Sequence, residues 1–185
     1  MSDGTTSGTV LLTDFNQTLT SGGSVLTNNL GVFANGLLFF VVDDTNGREL
    51  WSSDGTTAGT QMVKDIRPGH PGSQTYNPYD GLSSDHLFVF GNHVYFAADD
   101  GIHGYELWKS DGTASGTVMV SDINSGSGSS SAPGGLIVAG TTLFFDANDG
   151  TNGRELWALD PANITGLSSG SSSSSAIVYA NNKVG

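Results

Sequence analysis

Three clusters of polar and aromatic side chains recur along the chain and are the residues best placed to do chemistry. In each, a glutamate precedes a tryptophan by two positions and follows a basic or aromatic residue. The nine residues are Arg48, Glu49 and Trp51; Tyr105, Glu106 and Trp108; and Arg154, Glu155 and Trp157. Because side chains alternate along a β-strand, each glutamate shares a face with its tryptophan. A carboxylate beside an indole could bind a sugar by ring stacking and hydrogen bonds to hydroxyl groups.

The same pattern also has a structural interpretation. A glutamate inside a buried strand needs hydrogen-bond donors, and the backbone amides of the neighbouring Asp-Gly-Thr hairpin would supply them. The tryptophans would then pack between sheets. The residue types favour this structural role, and the sugar site remains the alternative.

Acidic turns form a second candidate site, just before each glutamate–tryptophan pair. Their carboxylates belong to Asp43, Asp44, Asp99, Asp100, Asp146 and Asp149. Hard oxygen ligands in a glycine-containing turn could hold Ca²⁺, the one cofactor that the sequence suggests. None of the turns matches the twelve-residue calcium loop, and aspartate is also common in turns because it tolerates left-handed backbone conformations. A calcium site and an ordinary turn therefore both remain open.

The sequence carries no motif of an enzyme. It lacks cysteine, a Gly-x-Ser-x-Gly elbow, a P-loop and a dinucleotide fingerprint, and its four histidines have no metal-ligand spacing. We therefore expect no catalytic residues. Carboxylates from different repeats could still form a glycosidase pair, so a fragment of a hydrolase remains an alternative.

Charge and hydropathy exclude two classes of partner. Lys and Arg number 6 against 18 Asp and Glu, which gives a formal net charge of -12. Binding to a phosphate backbone needs clustered basic side chains, so we expect no nucleic-acid partner. No apolar run reaches the roughly 18 residues of a membrane span, so we expect no membrane insertion.

Internal repeats predict the fold. Trp51, Trp108 and Trp157 recur at intervals of about 50 residues, and a Ser-Asp-Gly-Thr-x-x-Gly-Thr hairpin begins at Ser2, Ser53 and Ser110. Short apolar strands and tight turns surround these motifs, which indicates four strands in each repeat. A β-sandwich is the main competing fold, but it does not predict a fixed motif at a fixed period. We therefore predict an all-β, β-propeller-like fold of tandem four-stranded blades.

The repeats divide the chain into about three blades and parts of a fourth, within one domain over residues 1–185. The predicted units are a partial blade 1–15, blades 30–66, 86–123 and 135–167, and a partial blade 176–185. The third blade lacks the hairpin, so its fourth strand is predicted to be either 164–167 or Val10–Asp14. Residues 176–184 are predicted to be the first strand and turn of a further unit. Open blade edges favour pairing between strands of different copies, so we expect self-association.

The segments ELWSSDGT (49–56) and ELWKSDGT (106–113) resemble the bacterial ELWxSDGTxxGT repeat family, often labelled hyalin-like. The resemblance covers nearly the whole chain and implies a propeller-like array in a secreted or cell-surface protein. It carries no catalytic residues to transfer. We expect a non-enzymatic module with a structural, adhesive or self-assembling role, with a carbohydrate-binding propeller lectin as the alternative and glycans as its partners. Residues 1–4 do not look like a signal peptide.

Overall fold

The structure, a computed structural model, describes residues 5–15, 24–25, 31–44, 46–69, 87–159 and 177–179, with the side chains of 24–25, 43–44 and 177–179 left out. This part of the chain forms three antiparallel sheets and contains no helix, which confirms the predicted all-β class. The described residues therefore also contain no helix that could span a membrane.

Thirteen strands occur in the described residues. The first sheet contains β1 (Ser24–Val25), β2 (Val32–Ala34), β3 (Leu37–Asp44), β4 (Gly47–Ser53) and β5 (Gln61–Lys64). The second contains β6 (Phe88–Phe90), β7 (His93–Asp99), β8 (Tyr105–Ser110) and β9 (Val118–Ser121). The third contains β10 (Gly134–Ala139), β11 (Thr142–Asn148), β12 (Arg154–Leu159) and β13 (Ile177–Tyr179).

Each sheet is four strands wide, and in the second and third sheets consecutive strands are neighbours. The second and third sheets have the orders β6-β7-β8-β9 and β10-β11-β12-β13. In the first sheet β4 pairs along one edge of β3, so β1 and β2 share the other edge at its two ends. The β2–β3 hairpin turns at Asn35 and Gly36, which both have positive φ, as a two-residue hairpin turn of this kind requires.

The register between the two central strands is the same in all three sheets. The tryptophans pair with phenylalanines as Phe40↔Trp51, Phe96↔Trp108 and Phe145↔Trp157. A register shift also recurs next to Trp51 and Trp108, where they face the fourth strand. Equivalent residues of the sequence repeat thus form equivalent pairs in the three sheets.

Alternation along the strands gives every sheet two faces. We call them the Trp face, which carries Trp51, Trp108 or Trp157, and the Leu face, which carries Leu50, Leu107 or Leu156. The Leu face of the first sheet packs on the Trp face of the second in one hydrophobic cluster that contains Leu50 and Trp108. The Leu face of the second sheet packs on the Trp face of the third in another cluster that contains Leu107 and Phe145.

The fourth strand of the third sheet differs from the sequence prediction. β13 pairs with β12 at this position. Residues 164–167 lie outside the described residues, and Val10–Asp14 belongs to no strand in the part of the chain that the structure describes. Ile177–Tyr179, predicted to begin a further unit, instead completes the third sheet. The other strands lie within the predicted ranges 30–66, 86–123 and 135–167, apart from β1 and the first residue of β10, Gly134. The unit boundaries themselves remain predictions.

Candidate functional site

The Ser-Asp-Gly-Thr hairpin is a self-contained network of hydrogen bonds. In the second sheet, Asp111 Oδ1 accepts from the backbone amide and the hydroxyl of Thr113 at 2.8 and 2.7 Å. The hydroxyl of Ser110 lies 2.8 Å from that of Thr117, and the Thr117 hydroxyl donates to Thr113 O. The hairpin of the first sheet repeats these bonds from Ser53 to Thr60 with distances within about 0.1 Å.

The last glycine of the motif is required by close packing. A Cβ atom added to Gly59 or Gly116 would overlap with the carboxylate of Asp54 or Asp111. Hydrogen bonds from the Thr56 hydroxyl and amide lower the pKa of Asp54. Burial alone would raise the pKa of Asp111, but hydrogen bonds from the Thr113 hydroxyl and amide lower it overall. Most of the motif's polar positions are thus used inside the turn.

The glutamates of the first two sheets bind backbone amides. Glu106 is fully buried, and its carboxylate accepts from Ile123 N at 3.0 Å, Ser131 N at 2.9 Å and Ser131 Oγ at 2.6 Å. The Glu49 carboxylate, which is 1% exposed, accepts from Ile66 N at 3.0 Å and from Arg67 N at 3.4 Å. Both glutamates therefore hold the segment that follows the fourth strand of their own sheet.

Burial raises the pKa of Glu106, and the hydrogen bonds from Ser131 and Ile123 oppose this effect. The donors are not those predicted from the sequence, which were the amides of the Asp-Gly-Thr hairpin. For Glu106 they come from Ile123 and Ser131, and the local sequence pattern does not indicate that this segment returns to the glutamate. The recurring Asp-Ile pairs at 65–66 and 122–123 were the available signal, because Ile66 and Ile123 supply equivalent amides.

The third cluster has a different environment. Glu155 is partly exposed, and no described residue donates a hydrogen bond to it. Arg154 is exposed on the opposite face of β12, where its guanidinium makes an ion pair with Asp146 and donates to Ala132 O. The Trp157 indole donates to Ala147 O at 3.1 Å. Arginine and tryptophan thus lie on opposite faces of one strand and do not converge on one ligand.

The tryptophans of the first two sheets pack against other side chains, and Trp108 does so in the interface between the first and second sheets. Trp108 is 6% exposed, and the ammonium of Lys64 lies 5.6 Å from the centre of its indole ring, which is within the range of a cation–π contact. Lys64 also donates to Thr117 O across the interface. Trp51 packs against Phe15 with ring centroids 5.0 Å apart. Arg48 is also buried, but on the Leu face of the first sheet, opposite Trp51.

The acidic turns bind their own backbone. Asp100 accepts from the amides of Ile102 and His103 and makes an ion pair with the His103 imidazole at 2.7 Å. Asp149 accepts in the same way from the amides of Thr151 and Asn152. Hydrogen bonds from Asn152 and Thr151 lower the pKa of Asp149, and hydrogen bonding to Asp100 raises the pKa of His103.

The structure does not gather the acidic residues into one cluster. Asp99 makes an ion pair with Arg67 at 3.0 Å, Asp146 pairs with Arg154, and the side chains of Asp43 and Asp44 lie outside the described residues. Over the described ranges, no three His, Asp or Glu side chains come together as metal ligands. Calcium binding stays a prediction.

One polar pocket combines residues of two sheets. Its volume is about 390 Å³, and Arg67, Asp99, Tyr105 and Ser130 line it together with three glycines. Arg67 follows the first sheet, whereas Asp99 and Tyr105 belong to the second. The aromatic ring, guanidinium and carboxylate could contact a sugar there, although only Tyr105 and Asp99 were singled out from the sequence.

Comparisons with known proteins identify no function for this site. No family model, no curated protein and no solved structure matches the chain.

Proposed function

We propose that the chain is a non-enzymatic repeat module with a structural, adhesive or self-assembling role at a bacterial cell surface or outside the cell. In this proposal its three sheets are blades of a propeller-like array. Two features support the array: the central strands keep one register in every sheet, and the Leu faces of the first two sheets each pack on the Trp face of the next sheet. The secreted location rests on the resemblance to the ELWxSDGTxxGT repeats.

One observation carries the non-enzymatic role: in the first two sheets the carboxylates of the hairpin aspartate and of the strand glutamate accept hydrogen bonds within the fold. Asp54 and Asp111 bind their own hairpins, and Glu49 and Glu106 bind backbone amides. The bonds to Glu49 and Glu106 use both oxygen atoms of each carboxylate, which leaves these groups less capacity to bind a substrate. Repetition of the same bonds in two sheets is what selection for a stable repeat produces.

Binding of a sugar is the second candidate, and the pocket beside Tyr105 is the observation that favours it. A panel of mono- and oligosaccharides, with and without Ca²⁺, distinguishes the two candidates by thermal shift and calorimetry. We expect neither a shift in Tm nor heat of binding. A saturable shift that is lost in Tyr105→Ala but kept in the matched exposed variant Ile102→Ala would refute the structural proposal and support a lectin.

A further inference from the structure

The Leu face of the third sheet is largely exposed in the part of the chain that the structure describes. Ile137 and Leu156 lie on this face and are 61% and 56% exposed, whereas the equivalent leucines Leu50 and Leu107 are fully buried. The difference arises because the first two Leu faces each pack on the Trp face of a following sheet. The third Leu face therefore has the residue pattern of an interface that is not yet formed.

The Trp face of the first sheet is only partly covered. Phe33 lies on this face, because it pairs with Leu38, and it is 70% exposed. An apolar groove of about 260 Å³ runs between Leu38, Phe40 and the segment 10–15. On the second sheet the equivalent face packs against the Leu face of the first.

The segment Val10–Phe15 takes the place of a fourth strand on this face. Its sequence follows a Gly-Thr pair as β5 and β9 do, and Phe15 aligns with Ile66 and Ile123. Phe15 packs edge-on against Phe40 and Trp51, and Ile66 is likewise buried between the first and second sheets. Among the described residues, however, no strand pairs with this segment. The segment has the sequence pattern of a fourth strand but pairs with no described strand.

The third sheet lacks a described backbone amide for Glu155, and the segment Val10–Phe15 carries an equivalent amide at Phe15. Glu106 and Glu49 each receive a backbone amide from the isoleucine that aligns with Phe15, but Glu155 receives none from the described chain. β13 pairs only with Trp157–Leu159 and without the register shift that β5 and β9 show. It therefore does not reproduce the fourth strand of the other sheets.

We propose that the third sheet of one copy of this chain docks on the first sheet of a second copy, so that Val10–Phe15 of the second copy becomes its fourth strand. The Leu156 face then covers Phe33 and the groove beside Phe40. The segment replaces β13 on the edge of β12, and the Phe15 amide donates to Glu155. This inference rests on the proposed function and identifies the surface of self-assembly.

The contact is head-to-tail, because it joins two different surfaces. Each copy keeps one free surface of each kind, so the copies form a closed ring or an open filament. The interface repeats the packing already present between the first and second sheets and between the second and third. A second copy is therefore the occupant that matches both surfaces at once.

Mixing of two blocked variants tests the head-to-tail geometry. Leu156→Glu blocks the Leu face and Leu11→Glu blocks the other surface; both side chains are exposed, so both variants should fold. We expect each variant alone to have the molar mass of one chain and an equimolar mixture to form dimers and nothing larger. Ile102→Glu, at a turn residue that is similarly exposed, should assemble as the unaltered chain does. A mixture that stays monomeric overturns the proposal.

A disulfide distinguishes pairing between copies from closure within one chain. The chain has no cysteine, and by analogy with Ser52↔Gln61 and Lys109↔Val118, Ala158 should pair with Val10. The double variant Val10→Cys/Ala158→Cys should form covalent dimers and larger species on oxidation. A crosslink within single chains, or none, overturns the proposal. Neither result bears on sugar binding. The panel of sugars therefore tests the proposed function, and the crosslink separately tests this inference.

Discussion

Truncation of Glu106 should destabilise the chain far more than truncation of the equivalent Glu155. Glu106→Ala leaves the amides of Ile123 and Ser131 buried without an acceptor, whereas the Ser131 hydroxyl keeps a second acceptor, Tyr105 O, at 3.3 Å. At about 1–2 kcal/mol for each stranded amide, the loss is about 2–4 kcal/mol. Glu155→Ala removes the same atoms but strands no described donor, so its cost should stay below about 1 kcal/mol.

Urea unfolding of dilute, monomeric protein at pH 7 measures both costs. With an m-value of about 2 kcal/mol/M, Glu106→Ala should lower the midpoint by about 1–2 M and leave m unchanged. Glu155→Ala is the matched control. Equal losses in the two variants would refute the reasoning, because they would show that the backbone amides are not what the glutamate stabilises.

The protonation of Glu106 gives this prediction a pH dependence. Its pKa in the folded chain is raised above the ordinary value of 4.5, because burial disfavours the charge. The contribution of its titration to stability is then fully present below pH 4.5 and is lost as the pH rises through the raised pKa. Glu106→Gln cannot titrate, so the free energy of unfolding of the unaltered chain, minus that of the variant, should fall over this interval. A difference that rises with pH would contradict the assignment.

Two further predictions concern the turns. Gly116→Ala should lower the free energy of unfolding in urea by about 2 kcal/mol, because the added methyl group displaces the Asp111 carboxylate from its two hydrogen bonds. In an Asp111→Ala background the same substitution should have little effect. An effect of equal size in that background would exclude the overlap as its cause. In NMR titrations the pKa of His103 should lie above 6.5 and should fall in the variant Asp100→Asn. Burial should hold the pKa of His93 below 6.5. If both histidines shifted in the same direction, the different environments assigned to them would be wrong.

Local patterns predicted the strands because hairpin turns and alternating apolar residues are encoded within a few positions. The predicted range 86–123, for example, contains the four strands β6 to β9, and the repeated glutamate–tryptophan pairs share one face as expected. The register of Trp108 on Phe96 follows from the length of the turn between them. For such elements the sequence was sufficient.

The partners of the glutamates were not predictable in the same way. Ser131 lies 25 residues after Glu106 and binds it only because the loop from β9 returns to the same end of the sheet. The fourth strand of the third sheet was missed for the same reason, since three residues at 177–179 reach β12 across a long connection. Such contacts depend on the path of the chain in three dimensions, which a local repeat does not specify.

The molar mass of the unaltered chain in solution tests the central claim most directly. Light scattering across a range of concentrations should give masses that rise from 19.1 kDa to multiples of it, as free Leu faces meet free Trp faces. A mass that stays at 19.1 kDa up to millimolar concentrations would contradict a module whose two terminal sheets complete each other.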